Sequence, residues 1–364
     1  MVNADLRTVA GPRVFVQLAA ATEAGRTPAE RSFDRGAVDI VQGFIDLPFG
    51  SADMQGRLRL GRQELDLSGN RLVAVRDAAN LRRAFDMALL SVSHQAFSPE
   101  VFDGHPVRNR GGAFDDDAVP GEALWGTRVR AVAGPGLPTG ELFFLARTRD
   151  HAIYQDAVGR ELRRSFGARL SGQRDGWDYA LQASLQRGDA AGKAIRAAGV
   201  AGDFGYRPGD AWQSRIGVSM GAASGDRSAG DGQINTFDAI YPNLGYFTDA
   251  PLAYPGNSRD VQPNVSFAPW RSVRIQTGLD VLYRLSSSDA VYESPGLPLI
   301  RGAVQGSNFI TALGFLKIAW RASPRCEVSA SYVHASVGSL VRDQHGHAAD
   351  YGAIQMTLRL SGAL

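Results

Sequence analysis

From residue 177 to 186 the side chains alternate without a slip: Trp177, Tyr179, Leu181, Ala183 and Leu185 share one face of an extended chain, and Asp178, Gln182, Ser184 and Gln186 share the other. A helix would mix the two sets. The same split recurs over 273–283, where Val273, Ile275, Leu279, Val281 and Tyr283 oppose Arg274, Gln276 and Asp280, and over 351–360, where Ile354, Met356, Leu358 and Leu360 oppose Gln355, Thr357 and Arg359. Period-two runs of about ten residues are the length a tilted strand needs to cross a bilayer. About sixteen such strands are predicted, near 12–21, 37–46, 56–66, 83–93, 97–107, 122–134, 139–150, 160–171, 175–187, 193–207, 211–224, 258–268, 271–285, 308–321, 325–336 and 350–361.

The connections sharpen the prediction. Those near 94–96, 135–138, 172–174, 208–210, 269–270 and 322–324 are tight, whereas 22–36, 67–82, 108–121, 225–257, 286–307 and 337–349 are long. Alternating short and long connections belong to an all-β, antiparallel up-and-down transmembrane barrel, with short periplasmic turns on one rim and long extracellular loops on the other. A β-sandwich also alternates, but it has no reason to alternate loop lengths, and its dry core would not hold unpaired arginines. An even strand count places both ends of the visible chain on the periplasmic rim. No second domain or linker is evident, so residues 1–364 read as one outer-membrane barrel. The start shows no charged and apolar leader, which suggests that a signal peptide and first strands precede it.

Charge changes the picture through its placement. The net charge is only +2, and lysine occurs only at 193 and 317, so the cations are nearly all arginine. Arg57 and Arg59, Arg128 and Arg130, Arg163 and Arg169, and Arg274 fall on the more polar faces. A lipid-facing arginine at mid-membrane costs about 2–4 kcal/mol, so these side chains are expected to face a wet lumen. Rings of guanidinium groups there would favour anions. The plainer reading is a wall of arginines neutralised by Glu141, Glu161, Asp178 and Asp280. Cys326, the one cysteine, has no partner for a disulfide and no zinc-ligand spacing around it.

Gly61-Arg-Gln-Glu-Leu, followed by Asn70-Arg-Leu-Val and Arg76-Asp-Ala-Ala-Asn-Leu-Arg-Arg-Ala-Phe-Asp86, is the most distinctive stretch. It resembles the alginate export family of outer-membrane barrels. Ala223-Ser-Gly-Asp-Arg, Asn235-Thr-Phe-Asp, Tyr241-Pro-Asn-Leu-Gly-Tyr-Phe247, Ser329-Ala-Ser-Tyr-Val-His334 and Asp350-Tyr351 are similar to later parts of the same family, so the likeness runs from about residue 12 to the end. Met87 departs from the family's glycine after Phe-Asp, and Ser-Gly-Ala-Leu364 from its terminal aromatic residue. The resemblance implies a barrel of about eighteen strands that passes an anionic polysaccharide such as alginate through an arginine-lined pore. It implies that Arg62, Arg71, Arg76, Arg82 and Arg83 fold into or beside that pore. Outer-membrane lipid and periplasmic export machinery are the further expected partners. No nucleic-acid partner, cofactor or catalytic residue is expected.

The 225–257 loop, rich in Gly, Asp and aromatic residues, reads as a gate or plug. Its Gly225-Asp226 and Gly230-Asp231-Gly232 invite a calcium reading, but the spacing matches no EF-hand loop and no metal is expected. Asp115-Asp-Asp117 reads as a solvated loop tip. Two alternatives to polysaccharide transport stay open: a general anion porin for small solutes, and a barrel-embedded lipid hydrolase. For the latter, Ser331 and His334 lie three apart on one strand, hence on opposite faces, and there is no Gly-x-Ser-x-Gly elbow.

Overall fold

The computed structural model describes all residues except 10, 26–30, 78, 133, 135, 229, 244, 295, 296, 303–306 and 361–364; the terminal Ser-Gly-Ala-Leu364 therefore lies outside the described residues. The alternating segments become one antiparallel meander. It opens with β1 (Val2–Arg7), β2 (Arg13–Ala21), β3 (Gly36–Gly50), β4 (Met54–Gln63), β5 (Phe85–His94) and β6 (Phe97–Arg108). After the two-residue β7 (Asp117–Ala118) come β8 (Glu122–Val132), β9 (Thr139–Tyr154), β10 (Ala157–Arg174), β11 (Trp177–Ala190), β12 (Lys193–Tyr206) and β13 (Arg215–Ala223). The two-residue β14 (Gln233–Ile234) precedes β15 (Ser258–Trp270) and β16 (Val273–Arg284), and a hairpin of β17 (Val291–Ser294) and β18 (Leu297–Ile300) follows. The chain closes with β19 (Phe309–Ser323), β20 (Cys326–Val337), the single-turn helix α1 (Ser339–Arg342) and β21 (Ala349–Leu358).

Among the described residues nineteen strands share one sheet. Setting aside the two-residue β7 and β14 leaves seventeen in the wall, each paired with the next. All sixteen segments expected from periodicity are present. The addition is β1, six residues in register with β2 from Val2 opposite Leu18 to Arg7 opposite Arg13, and too short to stand out by pattern. An odd count puts the start of β1 on the long-loop rim and the end of β21 on the short-turn rim, which corrects the expectation that both ends share a rim. No pairing joins β1 to β21 among the described residues.

Loop lengths also depart in two places. Residues 155–156 and 191–192 are tight turns on the rim that otherwise carries long loops, because β9 to β12 pair along almost their whole length, Tyr154 against Ala157 and Ala190 against Lys193. This quarter of the wall stands tall. β12 outruns β13, which pairs it only from Gly199 onward, and β14 takes up the vacated positions at Ala194 and Ile195.

Burial separates the two faces as lipid and lumen require. On β11, Leu185 is 55% exposed while Ser184 and Gln186 are buried. Aromatic pairs cluster outside at the short-turn rim, Trp177 against Tyr206 at 4.8 Å and Trp212 against Phe267 at 5.8 Å, where amphipathic rings favour the membrane interface.

The lumen itself is filled. The described residues of the 64–84 and 224–257 segments fold into it, and Leu67, Leu72, Val73, Ile240 and Tyr241 pack there against Phe85, Phe102, Leu124 and Leu145 of the wall. Burying each such side chain is worth about 1.5–3 kcal/mol. Across the barrel, Phe247 and Ala250 rest on Leu282, Leu313 and Val333. Gly61 sets the first inward turn. Its φ is +122°, and a β-carbon there would stand 2.3 Å from the Gly43 carbonyl oxygen, so only glycine fits the end of β4. Met87, in place of the expected glycine, is buried on the lumen face opposite Gly104, where a second side chain would strike it.

Candidate anion site in the lumen

Alternation puts Arg57 and Arg59 on the buried face of β4, where both approach Asp46, at 3.9 and 2.6 Å. Arg62 sits on the other face of the same strand, with Leu58 and Leu60, and is tied to Asp86 at 2.8 Å near the long-loop rim. Its expected place in the pore is corrected accordingly: an odd-to-even step along a strand changes sides. Arg128 pairs with Glu100 and donates to the Asp66 carbonyl at 2.9 Å. Arg130 and Arg169 flank Glu141 in one cross-strand row, and Arg169 donates to Ser171 at 3.1 Å. Arg274 opens onto the short-turn mouth, in a 350 Å³ recess shared with Arg271, Arg321 and Glu327.

Of the loop arginines, Arg82 is held by Glu64 at 3.0 Å and Asp77 at 2.5 Å. Arg71 reaches Tyr246 Oη at 3.3 Å and so joins the two inserted loops. Arg83 donates only to carbonyl oxygens, Ala74 at 3.1 Å and Tyr241 at 2.6 Å. Arg76 lies 4.5 Å over the Phe33 ring, and its Nε has no hydrogen-bond partner. Among the described residues neither Arg76 nor Arg83 is in an ion pair. Burial, with Arg83 beside it, pulls Arg76 down to about 9, and burial pulls Arg83 down to about 10. The site holds positive charge against its own preference, and an anion would relieve it.

Arg163 and Glu161, both expected on the lumen face, belong to the deepest cluster, whose other members, Arg147, Arg149 and Asp238, the sequence reading missed. Arg147 and Arg149 of β9 join Arg163 of β10 around two carboxylates. Glu161 accepts from Arg147 at 2.8 Å, from Arg149 at 3.0 Å and from Arg163 at 3.3 Å. Asp238, from the inserted 224–257 loop, accepts from Arg147 at 2.5 Å and lies 3.4 Å from Arg149. Tyr254 Oη donates to the other oxygen of Asp238 at 2.8 Å, and Tyr154 Oη donates to Glu161 at 2.5 Å. The plainer expectation therefore holds for part of the wall: Glu161 neutralises arginines here, Glu141 approaches Arg128 and Arg130 at 3.9 Å, and Asp178 binds Arg215 at 2.7 Å. Asp280 differs, since its contact is Gln262 at 2.9 Å.

Above this cluster, towards the long-loop rim, is a cavity of 440 Å³. Five arginines (31, 76, 83, 147 and 149) and two glutamates (122 and 293) line it, with Phe33, Tyr241 and Tyr254 as aromatic surfaces. Its size falls in the range of small-ligand sites.

The family model for alginate export matches residues 1–355. The chain belongs to the alginate export family. No curated protein matches in sequence. Solved structures similar to this family member include three Pseudomonas aeruginosa proteins. OccK5 (OpdH) is 10% identical, with 96% of this chain and 87% of that chain covered and a TM-score of 0.60. OccK2 (OpdF) in complex with glucuronate is 11% identical, with 96% and 87% covered and a TM-score of 0.59. OpdO is 12% identical, with 95% and 81% covered and a TM-score of 0.57. At these identities the likeness concerns the fold, an outer-membrane β-barrel. The family and fold together make the chain an outer-membrane channel protein of the bacterial envelope.

Other candidate chemistry is satisfied internally. Asp231 accepts from the Gln233 amide at 2.8 Å, and Asp226 from the Ser228 amide at 3.4 Å, so the Gly-Asp repeats form turns. Carboxylate oxygens of Asp39, Asp115 and Asp116 come within 4.8 Å of one another, but Asp39 already accepts the backbone N–H groups of the other two, at 2.8 and 3.0 Å. His334 meets Asp350 at 2.8 Å on the outer surface, and Ser331 lies on the opposite face of β20, as its spacing requires.

Asp226 carries a pH dependence. Burial, then the charges of Asp289, Asp156 and Asp231, raise its carboxyl from the usual 3.8 to about 6. A raised acid favours the folded arrangement when protonated, so its contribution is full below pH 3.8 and disappears as pH rises through about 6. Amide hydrogen exchange at residues 224–228, corrected for its intrinsic pH dependence, is expected to be about tenfold slower at pH 5 than at pH 8. Asp226→Asn should abolish the difference. Equal protection at both pH values in the unsubstituted chain would refute this.

Proposed function

We propose that this channel passes an acidic polysaccharide, alginate or a polymer of the same carboxylated kind, and that the 440 Å³ cavity is where a uronate unit is held on its way through. The observation that carries the reading is the pair Arg76 and Arg83: two guanidinium groups brought together on a cavity wall with no ion-pair partner among the described residues. Guanidinium forks match carboxylates in two-point hydrogen bonding, and the aromatic rings offer flat faces for a sugar ring. Wall arginines at the other levels, Arg128, Arg130, Arg169 and Arg274, would continue the electropositive path towards the periplasmic mouth.

A second reading is transport of small carboxylates. It is favoured by the likeness to OccK2, whose structure holds glucuronate. One measurement separates the two. In planar bilayers, the full protein is expected to conduct anions in preference to cations and to be blocked by polyuronate but not by neutral dextran of equal length. Cation selectivity, or equal block by dextran, would reject both readings. Conduction of glucuronate with no response to polyuronate would favour the small-solute channel.

A further inference from the structure

We propose that Asp238 is a built-in substitute for the substrate's carboxylate, and that a uronate opens the lumen by taking its place. The inference rests on the transport reading above. Asp238 is the charged tether of the plug to the tall β9–β12 wall, beside the neutral ones that Thr236 and β14 make with Arg163 and β12. Its carboxylate lies against Arg147 and Arg149, its backbone carbonyl accepts from Gln186 Nε2 at 2.6 Å, and its N–H donates to Gln186 Oε1 at 3.0 Å. The next segment follows from it: Ile240 donates its N–H to Asp238 at 2.7 Å and accepts from Arg147 at 3.1 Å. A carboxylate from any source makes the same charge-assisted bonds to these guanidinium groups. The loop has supplied its own.

Access makes the substitution directional. With the plug in place Arg147 is 1% exposed, so its guanidinium is withheld from a ligand, yet both Arg147 and Arg149 border the cavity that Arg76 and Arg83 make attractive to anions. A uronate there is one step from the Asp238 position. It binds the displaced-plug arrangement more tightly, because only that arrangement bares Arg147 and Arg163, and this difference in affinity is what shifts a population. A polymer adds repeated carboxylates at high local concentration, so that after one unit displaces Asp238 the next hold the arginines occupied. A neutral sugar has no means of doing so. Tyr254, which donates to Asp238 and packs against the same cavity, would move with the loop.

The test uses the full protein in planar bilayers and in detergent. Asp238→Asn keeps the shape but presents an amide N–H₂ to the guanidinium groups. It is expected to raise the open probability in the absence of uronate at least tenfold and to remove any further increase by glucuronate. An open probability equal to that of the unsubstituted protein would overturn the proposal. Should the variant not fold, hydrogen exchange in the unsubstituted protein decides: amides of 234–241 are expected to exchange at least tenfold faster with saturating glucuronate and to be unaffected by glucose. Unchanged exchange with glucuronate would overturn the proposal. Failure of the transport reading has a different signature, the absence of polyuronate block in the unsubstituted channel.

Discussion

Glu161→Ala is expected to destabilise the barrel by about 3–5 kcal/mol, the cost of leaving buried charges without their counter-ion. Glu161 is fully buried, and it touches Arg147, Arg149 and Arg163 at once. Its removal leaves the three guanidinium groups without the carboxylate that touches all of them, and two of the three, Arg147 and Arg163, are almost wholly buried. Glu161→Gln keeps an acceptor oxygen and should cost less than the alanine. The measurement is equilibrium unfolding in urea of the detergent-solubilised barrel, followed by tryptophan fluorescence. Stability within about 1 kcal/mol of the unsubstituted protein would mean that the arginines find another counter-charge, and that the cluster has been misassigned as a closed network.

Replacing Arg76 and Arg83 together by glutamine should have the largest effect on transport. Neither holds a carboxylate, so unlike Glu161 they leave no stranded partner when their charge goes, and glutamine can still donate to the carbonyls of Ala74 and Tyr241. A hydrogen bond to a charged group is worth about 1.5–3 kcal/mol, a factor of roughly 10–150. The concentration of polyuronate that halves the current is therefore expected to rise by one to two orders of magnitude, with a smaller loss of anion preference in simple salt because Arg147 and Arg149 remain. Unchanged block would remove the cavity from the transport path. Arg82→Gln is the control, since Arg82 is already committed to Glu64 and Asp77.

The wall was legible because lipid outside and polar lumen inside print a period of two on every strand. Where the lumen is filled, that contrast fades. The inner face of β9 reads Glu141, Phe143, Leu145, Arg147, Arg149, and its middle is apolar because the inserted loops cover it, with Leu145 fully buried. Both faces of β9 then look hydrophobic, and Arg147 and Arg149 pass unnoticed, although counting by twos from Glu141 reaches them. Asp238 could not be matched to them by any local rule, because its partners lie some 90 residues earlier in the chain. Arg62 is the opposite case: strand parity with Arg59 was available and already placed it outside. The aspartates of 225–232 suggested an ion because side-chain oxygens that serve backbone turns look the same in sequence as oxygens that serve a metal.

One detail of the wall bears on how such a channel changes over generations. The inserted loop leaves at Ala223 and returns at Ser258, and these two residues are direct partners across β13 and β15. Its stems meet in a closed pair, so the order of the long strands does not depend on what the loop contains; the loop adds only the two-residue rung of β14 against β12. Stopper and cylinder are thus separable inheritances: the one can lengthen, shrink or trade its acidic tip for another while the other keeps assembling unaltered, and a lineage can acquire a new cargo without having to reinvent its container.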